Sequence, residues 1–497
     1  MKRVTRRDFV KVSAAAGLAF GVPRLGRAAT PGAKGAGPND EIRLAVVGMG
    51  SFETPGNVGG RGHQLIGFLR DVPGTKVATL CDVDAALLGR EAADMGKRGE
   101  TVATCRDIRK VLDDKSIDAV VIATPDHWHS LAAVWACQAG KDVYVEKPMS
   151  HNLFEGGQVV AAAEKHGRIV QTGMEGRASD GLRQAFEFLH RGQIGPIRYA
   201  HVVLYRDRKS IGKTSGTTPI PPTVDYDLWC GPSPMKPLAR KYLHYDWHWV
   251  WDQGAGEMGN NGVHYIDLCR WGLKLNRLPR RAMSLGGRFA FNDDGETPNT
   301  QLALFDFDPL PLTCEIHGLP ERHKGGYRTQ EKGIIIQCEG GYFAGSFEGG
   351  TFYDKQDKPI KSFKGSNFQK IQGMMVANFA AAVRSRKPGD LHADASQGHF
   401  SAGCCHMANI SYRLGKAADP QSIAEATRAN HELSEAFDRC REHLAANHVG
   451  LDATHGTLGP WVTLDGKTES FIGPFADQAN KFVSRAYRQP FVVPTIG

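Results

Sequence analysis

No two of the ten cysteines are spaced as a CxxC pair or a zinc motif. They stand at positions 81, 105, 137, 230, 269, 314, 338, 404, 405 and 440 of a 497-residue chain, mostly inside apolar stretches where a thiol behaves as a small hydrophobe. A cysteine-ligated zinc module is excluded, and a chain this long needs no disulfide scaffold to bury a core. No apolar run approaches the ~20 residues that span a bilayer. The N-terminal run Val10–Val22 is short and rich in Ala and Gly. Internal repeats and low-complexity tracts are absent. Charge of one sign is scarce as well. The formal net charge is +8, yet Lys2, Arg3, Arg6, Arg7, Lys11, Arg24 and Arg27 against Asp8 place +6 of it in residues 1–28. The remainder is close to neutral, with no general electrostatic reason to bind nucleic acid.

What is present begins at the N-terminus. Arg6-Arg7-Asp8-Phe9 precedes the modest apolar run, and Gly26-Arg27-Ala28 supplies small residues where a signal is cut. Residues 1–30 therefore read as a twin-arginine signal peptide, cleaved near Ala28 or Ala29. The expectation is a periplasmic or otherwise exported protein that uses the twin-arginine export machinery and has no membrane span.

Residues 40–175 alternate strand and helix patterns. Short apolar runs at Ile42–Val47, Lys76–Cys81, Ala119–Ala123, Asp142–Val145 and Ile169–Gly173 are separated by helical segments near 63–70, 84–95, 106–113, 129–139 and 152–166. This predicts an α/β fold with a doubly wound parallel sheet. Residues 176–446 form a second α/β domain. It opens with a Pro-, Trp-, Tyr- and His-rich loop over 205–250. Alternating runs such as Thr300–Phe307, Leu312–His317 and Gly333–Cys338 follow, predicting a mostly antiparallel sheet with one covered face. Helices are expected near 367–386, 395–416 and 421–446. Residues 447–497 are Pro- and Gly-rich and are expected to be an irregular extension packed on the core.

The residues that carry chemistry fall at strand ends. Gly48 and Gly50 follow the first strand, but the stretch 51–59 separates them from Gly60-Arg61-Gly62. Glycines at a first βα turn let the backbone approach a pyrophosphate, and the helix start directs N–H groups at it. Asp82 ends the second strand, where a carboxylate accepts ribose hydroxyls and repels the 2′-phosphate of NADP, so NAD is favoured. Thr124-Pro125-Asp126-His127-Trp128-His129 follows another strand as a loop expected to border the nicotinamide half. His127 and His129 could also be read as metal ligands, but no third ligand accompanies them. Glu146-Lys147-Pro148 occupies a further strand end. An ammonium there lowers the pKa of a reacting hydroxyl and stabilises the alkoxide that develops during hydride transfer.

Downstream, Gly254-Ala-Gly-Glu-Met-Gly-Asn-Asn-Gly-Val-His264-Tyr-Ile-Asp267 leads from a glycine loop into a helix. Asn260, His264 and Asp267 are expected to share one face. His264 is the candidate proton acceptor from a substrate hydroxyl. The aromatic stretch His244-Tyr245-Asp246-Trp247-His248-Trp249 can stack on sugar C–H faces and bind hydroxyls, with Tyr205, Arg206 and Arg208 as further lining candidates. His244, Asp246 and His248 offer metal donors without a catalytic zinc spacing, so no metal is expected.

Taken in order, the glycine turn, Ala-Thr-Pro-Asp-His, Glu-Lys-Pro, Gln171-Thr-Gly173 and the Gly-x-Gly…His-x-x-Asp run resemble the Gfo/Idh/MocA oxidoreductase family over roughly residues 42–420. The resemblance implies a Rossmann domain followed by an α/β domain with a large open sheet, and an enzyme acting on sugars, inositols or polyols with NAD(P). It places the family's lysine at Lys147 and its histidine at His264, and adds Gln171 to the cofactor side. The family often has aspartate four residues before that histidine; this chain has Asn260. The export signal resembles the branch that includes glucose–fructose oxidoreductase, and members of the family often associate as homo-oligomers.

The expected activity is NAD-dependent oxidation or reduction of a CH–OH group with a tightly held cofactor. Redox-neutral glycoside cleavage by transient oxidation, elimination and re-reduction is the alternative. A non-catalytic sugar-binding protein is the third.

Overall fold

The computed structural model describes residues 41–51, 59–321, 326–328 and 330–497. The expected export signal lies outside them. Six short strands, β1 (Ile42–Val47), β2 (Thr75–Cys81), β3 (Ala103–Cys105), β4 (Ala119–Ile122), β5 (Asp142–Val145) and β6 (Val170–Thr172), form one sheet in the order β3-β2-β1-β4-β5-β6. Every neighbouring pair is parallel. Helices cover both faces, so β4 and β5 are buried throughout; β4 reads as a continuous apolar run and β5 departs from one only at Asp142.

Register fixes where a ligand can sit. Val47 pairs with Cys81 and with Ile122, Ile122 with Val145, and Val145 with Thr172. The C-terminal ends of five strands therefore lie along one edge, outside which an open parallel sheet binds its ligands. Asp84 and Asn152 cap the helices that follow β2 and β5 by accepting from Ala86 N–H and Glu155 N–H, each cap contributing on the order of 1 kcal/mol.

One expected loop is instead a helix. Asp126–Gln138 is helical from its first residue, with Pro125 at the N-cap. Asp126-His127-Trp128-His129 is its opening turn. The helix is buried almost all round, so its sequence shows little of the two-faced pattern by which helices are recognised.

The second sheet comprises β7 (Ile197–Tyr205), β8 (Arg281–Gly287), β9 (Thr300–Asp306), β10 (Pro311–His317), β11 (Lys332–Cys338), β12 (Gly341–Ser346), β13 (Gly349–Asp354), β14 (Pro359–Lys364), β15 (Lys416–Ala418), β16 (Gly456–Leu458), β17 (Val462–Leu464) and β18 (Phe471–Ile472). Ten of its strands run in the order β14-β13-β12-β11-β7-β10-β9-β8-β16-β15, with β17 and β18 branching from β8. The β7–β10 pair is parallel and the other pairings are antiparallel. The C-terminal stretch is therefore not wholly irregular. It adds β16 to β18 to the sheet, then returns to the first sheet, where Phe491 packs edge-on against Trp128 at 5.5 Å. The buried helix Ala395–Arg413 and the helix Leu153–His166 lie against each other and join the two halves. All ten cysteines carry free thiols.

Candidate active site

A cavity of about 500 Å³ opens along the strand ends of the first sheet, within the range of ligand pockets. One wall is the glycine turn. Gly50 and Gly60, ten positions apart in sequence, meet in space. A Cβ on Gly50 would stand 2.8 Å from Gly60 N, and a Cβ on Gly62 only 1.9 Å from Gly48 O. Gly48 has φ +86°, and a Cβ there would lie 2.7 Å from Ala123 O. A fingerprint interrupted in sequence is thus closed in space. The backbone approach that a pyrophosphate needs is available at Gly48 and Gly50, with Arg61 opening the helix.

Asp82 lines the next part of the wall. Its Oδ2 accepts from Met49 N–H at 2.6 Å and its Oδ1 from Asp84 N–H at 2.9 Å. Burial raises its pKa, against the pull of those two N–H groups. Arg106 reaches the same rim from beyond β3, its Nη2 engaged by the carbonyls of Val83 and Thr223. The loop that follows β7 folds over this end. Ala85 N–H donates to Thr223 O, Asp225 N–H to Val83 O, and His244 Nε2 lies 2.9 Å from Asp84 Oδ2. Trp229 and Trp247 complete the cover.

At the other end, Lys147 Nζ donates to Asn260 O at 2.8 Å and to Asn260 Oδ1 at 3.2 Å. Met258–Gly262 is a single π-helical turn, a form that clusters at functional sites. It presents Asn260 and Asn261 to the cavity just before the helix Val263–Gly272, whose second residue is His264. Burial, with Lys147 and Arg61 nearby, lowers the His264 pKa to about 3, so the ring is neutral at pH 7. Its Nδ1 lies 3.5 Å from Glu175 Oε2.

Arg61 ties the two ends together. Its Nε donates to Glu146 at 2.7 Å, its Nη1 to Gln372 at 2.6 Å, and its Nη2 to Glu175 Oε1. Burial opposes its charge, but the two carboxylates outweigh that and raise its pKa. Asp126, also in the wall, is buried enough to raise its pKa to about 7, although Lys147 and the Ala255 N–H pull it down.

Of the residues singled out in sequence, Gly48, Gly50, Gly60, Asp82, Thr124, Pro125, His129, Glu146, Lys147, His244, Tyr245, His248, Asn260 and His264 line this cavity. Several are already engaged. The two ring nitrogens of His129 face Pro148 O at 2.7 Å and Thr124 O at 2.8 Å, tying two strand-end turns together. His248 Nδ1 faces Tyr245 O at 2.6 Å while its ring stacks on Trp247. Asp246 accepts from Tyr242 N–H. The three candidate metal donors of this loop therefore have separate partners.

Four of the candidates do not reach the cavity. His127 points away from Asp126 and His129 on its helix; its Nε2 lies 2.9 Å from Trp229 O. Gln171 precedes the end of β6 and donates to Met375 O. Tyr205 faces the opposite side of the second sheet, stacked on His317 at 4.3 Å. Asp267 is buried in an ion pair with Arg177 at 2.8 Å. Arg206 and Arg208, the other two lining candidates, do reach it. Arg208 is held by Glu257 and donates to Tyr245 OH at 3.0 Å. Arg206 has a buried Nε with no partner. Glu175 had one legible signal, an acid just beyond a parallel strand end.

Comparison with known proteins agrees with this architecture. Residues 42–174 match the model of an oxidoreductase family, NAD-binding Rossmann fold, and residues 208–280 match that of an oxidoreductase family, C-terminal alpha/beta domain. A glycosyl hydrolase family 109 protein of Solibacter usitatus is 28% identical over 172 residues, 33% of this chain and 37% of that one. An inositol 2-dehydrogenase of Salmonella paratyphi B is 29% identical over 161 residues, 32% of this chain and 45% of that one. The chain thus spans less than half the length of these curated relatives. Among solved structures, the WlbA dehydrogenase from Bordetella pertussis, in complex with NADH and UDP-GlcNAcA, superposes with a TM-score of 0.53. It is 19% identical and covers 73% of this chain and 93% of its own, which shows a shared fold. Over residues 42–174 and 208–280, the chain is similar to the two domains of the Gfo/Idh/MocA family of NAD-binding oxidoreductases.

Proposed function

We propose that this protein oxidises or reduces a CH–OH group of a sugar or polyol and keeps its NAD bound between turnovers. The observation that carries the reading is the meeting of the glycine turn, Lys147 and His264 in one cavity. NAD, when bound, supplies the hydride acceptor or donor. Lys147 Nζ stabilises the developing alkoxide, and neutral His264 takes the hydroxyl proton. Asn260 and the partnerless Nε of Arg206 orient substrate oxygens, and Tyr245, Trp247 and His248 offer ring faces to the sugar. Asp82 favours NAD over NADP by its charge.

Retention is supported by the loop over the Asp82 end of the cavity, latched at Asp84. It also suits the export that Arg6-Arg7 and the following run suggest, because little free NAD exists outside the cytoplasm to replace what is lost. A retained cofactor must be restored within each cycle. One route oxidises one substrate and reduces a second. The other oxidises a sugar transiently, eliminates the neighbouring glycosidic substituent made labile by the adjacent ketone, and reduces the ketone again. The similarity to a glycosyl hydrolase family 109 protein and the amide at Asn260 favour this second reading.

The test is to dialyse the exported protein exhaustively, denature it, and identify any released nucleotide by mass spectrometry. Near-stoichiometric NAD(H) is expected. Recovery of NADP(H) would overturn the role given to Asp82. A folded, empty protein that binds added NAD reversibly would overturn retention, and one that binds none would overturn the oxidoreductase reading.

A further inference from the structure

Two buried polar atoms face each other in the cavity wall, and neither has a hydrogen-bond partner. His264 Nδ1 and Glu175 Oε2 are 3.5 Å apart, both sealed from solvent. The other ring nitrogen is left on the cavity side. Glu175 cannot swing away, because Arg61 Nη2 donates to its Oε1 while Arg61 is itself fixed by Glu146 and Gln372.

A neutral imidazole has one N–H, and its position is decided here by what Nδ1 faces. With the proton on Nε2, the Nδ1 lone pair would face carboxylate lone pairs, leaving two buried acceptors unsatisfied at about 1–3 kcal/mol each. With the proton on Nδ1, the carboxylate receives a donor and Nε2 presents its lone pair to the cavity. The residue one turn before His264 cannot do this work, since Asn260 is an uncharged amide engaged with Lys147 Nζ.

We propose that Glu175, anchored by Arg61, is the positioning residue that holds His264 as the Nδ1–H tautomer with Nε2 free to accept a proton. The groups around the ring agree. Lys147 and Glu146 approach from the end of β5, Arg61 from the helix after the glycine turn, and Asp267 from His264's own helix. The Phe347 ring stands edge-on at 5.7 Å. Asp267 is paired with Arg177, so Glu175 is the carboxylate facing Nδ1. Once Nε2 has taken a proton, the same carboxylate stabilises the imidazolium. Arg61 also opens the helix at the phosphate-binding turn, so the tautomer is braced from the cofactor side. The catalytic consequence rests on the reading of His264 as proton acceptor; the tautomer does not.

Glu175→Gln makes the test sharp. Arg61 has only donors to offer, so the glutamine oxygen must face it and the NH₂ must face His264 Nδ1, driving the ring proton to Nε2. The measurement is the ¹⁵N spectrum of histidine-labelled, NAD-loaded protein, with His264 assigned from His264→Asn. Wild type is expected to show Nδ1 protonated and Nε2 bare from pH 6 to 8, and Glu175→Gln the reverse. Glu175→Asp, which keeps the charge, should retain the wild-type tautomer. A wild-type spectrum with Nε2 protonated overturns the proposal even if the variants do not fold, and so does an unswitched Glu175→Gln spectrum. Turnover, read separately, should fall about 10²–10⁴-fold in Glu175→Gln with KM within about threefold, the scale for a base in the wrong tautomer. A switched tautomer with undiminished turnover would instead remove His264 from the chemistry and leave the tautomer assignment standing.

Discussion

His244 Nε2 and Asp84 Oδ2 meet at 2.9 Å although 160 positions separate them in sequence. The contact joins the loop after β7 to the turn after β2, beside Asp82. Burial pushes the Asp84 pKa up, but His244 and neighbouring donors outweigh it and set it at about 2. The contribution of this carboxylate is therefore present above pH ~3.8 and lost as pH falls toward 2. A charge-assisted hydrogen bond of this kind contributes on the order of 1.5–3 kcal/mol. His244→Ala is expected to speed NAD release by about tenfold or more while sparing the helix cap that Asp84 makes with Ala86 N–H. Stopped-flow displacement of bound NADH measures it. Release at the wild-type rate would mean that the loop does not retain the cofactor.

Asp126 leads to a pH prediction of the opposite sign. Its folded pKa of about 7 lies above the ordinary value of 3.8, so between these limits the folded state holds a proton that the unfolded state does not. Stability from this group is fully present below pH ~3.8 and declines as pH rises to 7. The loss is at most ~4 kcal/mol, three pKa units at 1.36 kcal/mol each. Asp126→Asn removes the dependence. The difference in unfolding free energy between variant and wild type, measured by urea titration at pH 5 and pH 8, should shift in favour of the variant at pH 8. A constant difference would show that Asp126 is ionised throughout.

The parallel sheet was legible because β1, β4 and β5 are buried on both faces and are almost wholly apolar, broken only by Arg43 and Asp142 near their starts. The edge strand Ala103–Cys105 was not, being short and largely exposed. Asp126-His127-Trp128-His129 looked like a loop because a polar quartet after Thr-Pro gives no periodicity. Once it is a helical turn, Asp126 and His129 share the cavity face and His127 cannot. Tyr205 and Arg206 are both lining candidates in the sequence, but successive residues of an extended strand point to opposite faces, and of the two Arg206 reaches the cavity. The partners of His264 were hidden for another reason. Glu175 and Arg61 belong to different elements, and nothing in their local sequence records the closure that brings them to one ring.

Gly62 separates a requirement for no side chain from a mere helix glycine. A methyl group there would stand 1.9 Å from Gly48 O, which is backbone and cannot yield without opening the phosphate turn. Gly67, on the same helix, has nothing within 4 Å of an added Cβ. Gly67→Ala should raise stability by ~0.5–1 kcal/mol through helix propensity alone. Gly62→Ala should lower the melting temperature and weaken NAD binding by at least ~10²-fold. Calorimetry and NAD titration of the two variants distinguish these outcomes. Equal NAD affinity in both would remove the Gly48–Gly62 approach from cofactor binding.

Lys147 has a structural role as well as a chemical one, so its test must separate them. Its Nζ bonds Asn260 O at the π-helical turn, and loss of that bond alone would cost about 1 kcal/mol, less than tenfold in any equilibrium it controls. Loss of an ammonium beside a developing alkoxide costs about 10²-fold or more in turnover. Lys147→Ala is therefore expected to retain NAD within about tenfold of wild type and to lose at least ~10² in turnover. Lys147→Met, which keeps the packing volume, should lose as much. Single-turnover kinetics on the cofactor-loaded variants make the comparison. Activity restored by methionine would assign the lysine to packing, whereas equal loss in both would place its charge in the reaction.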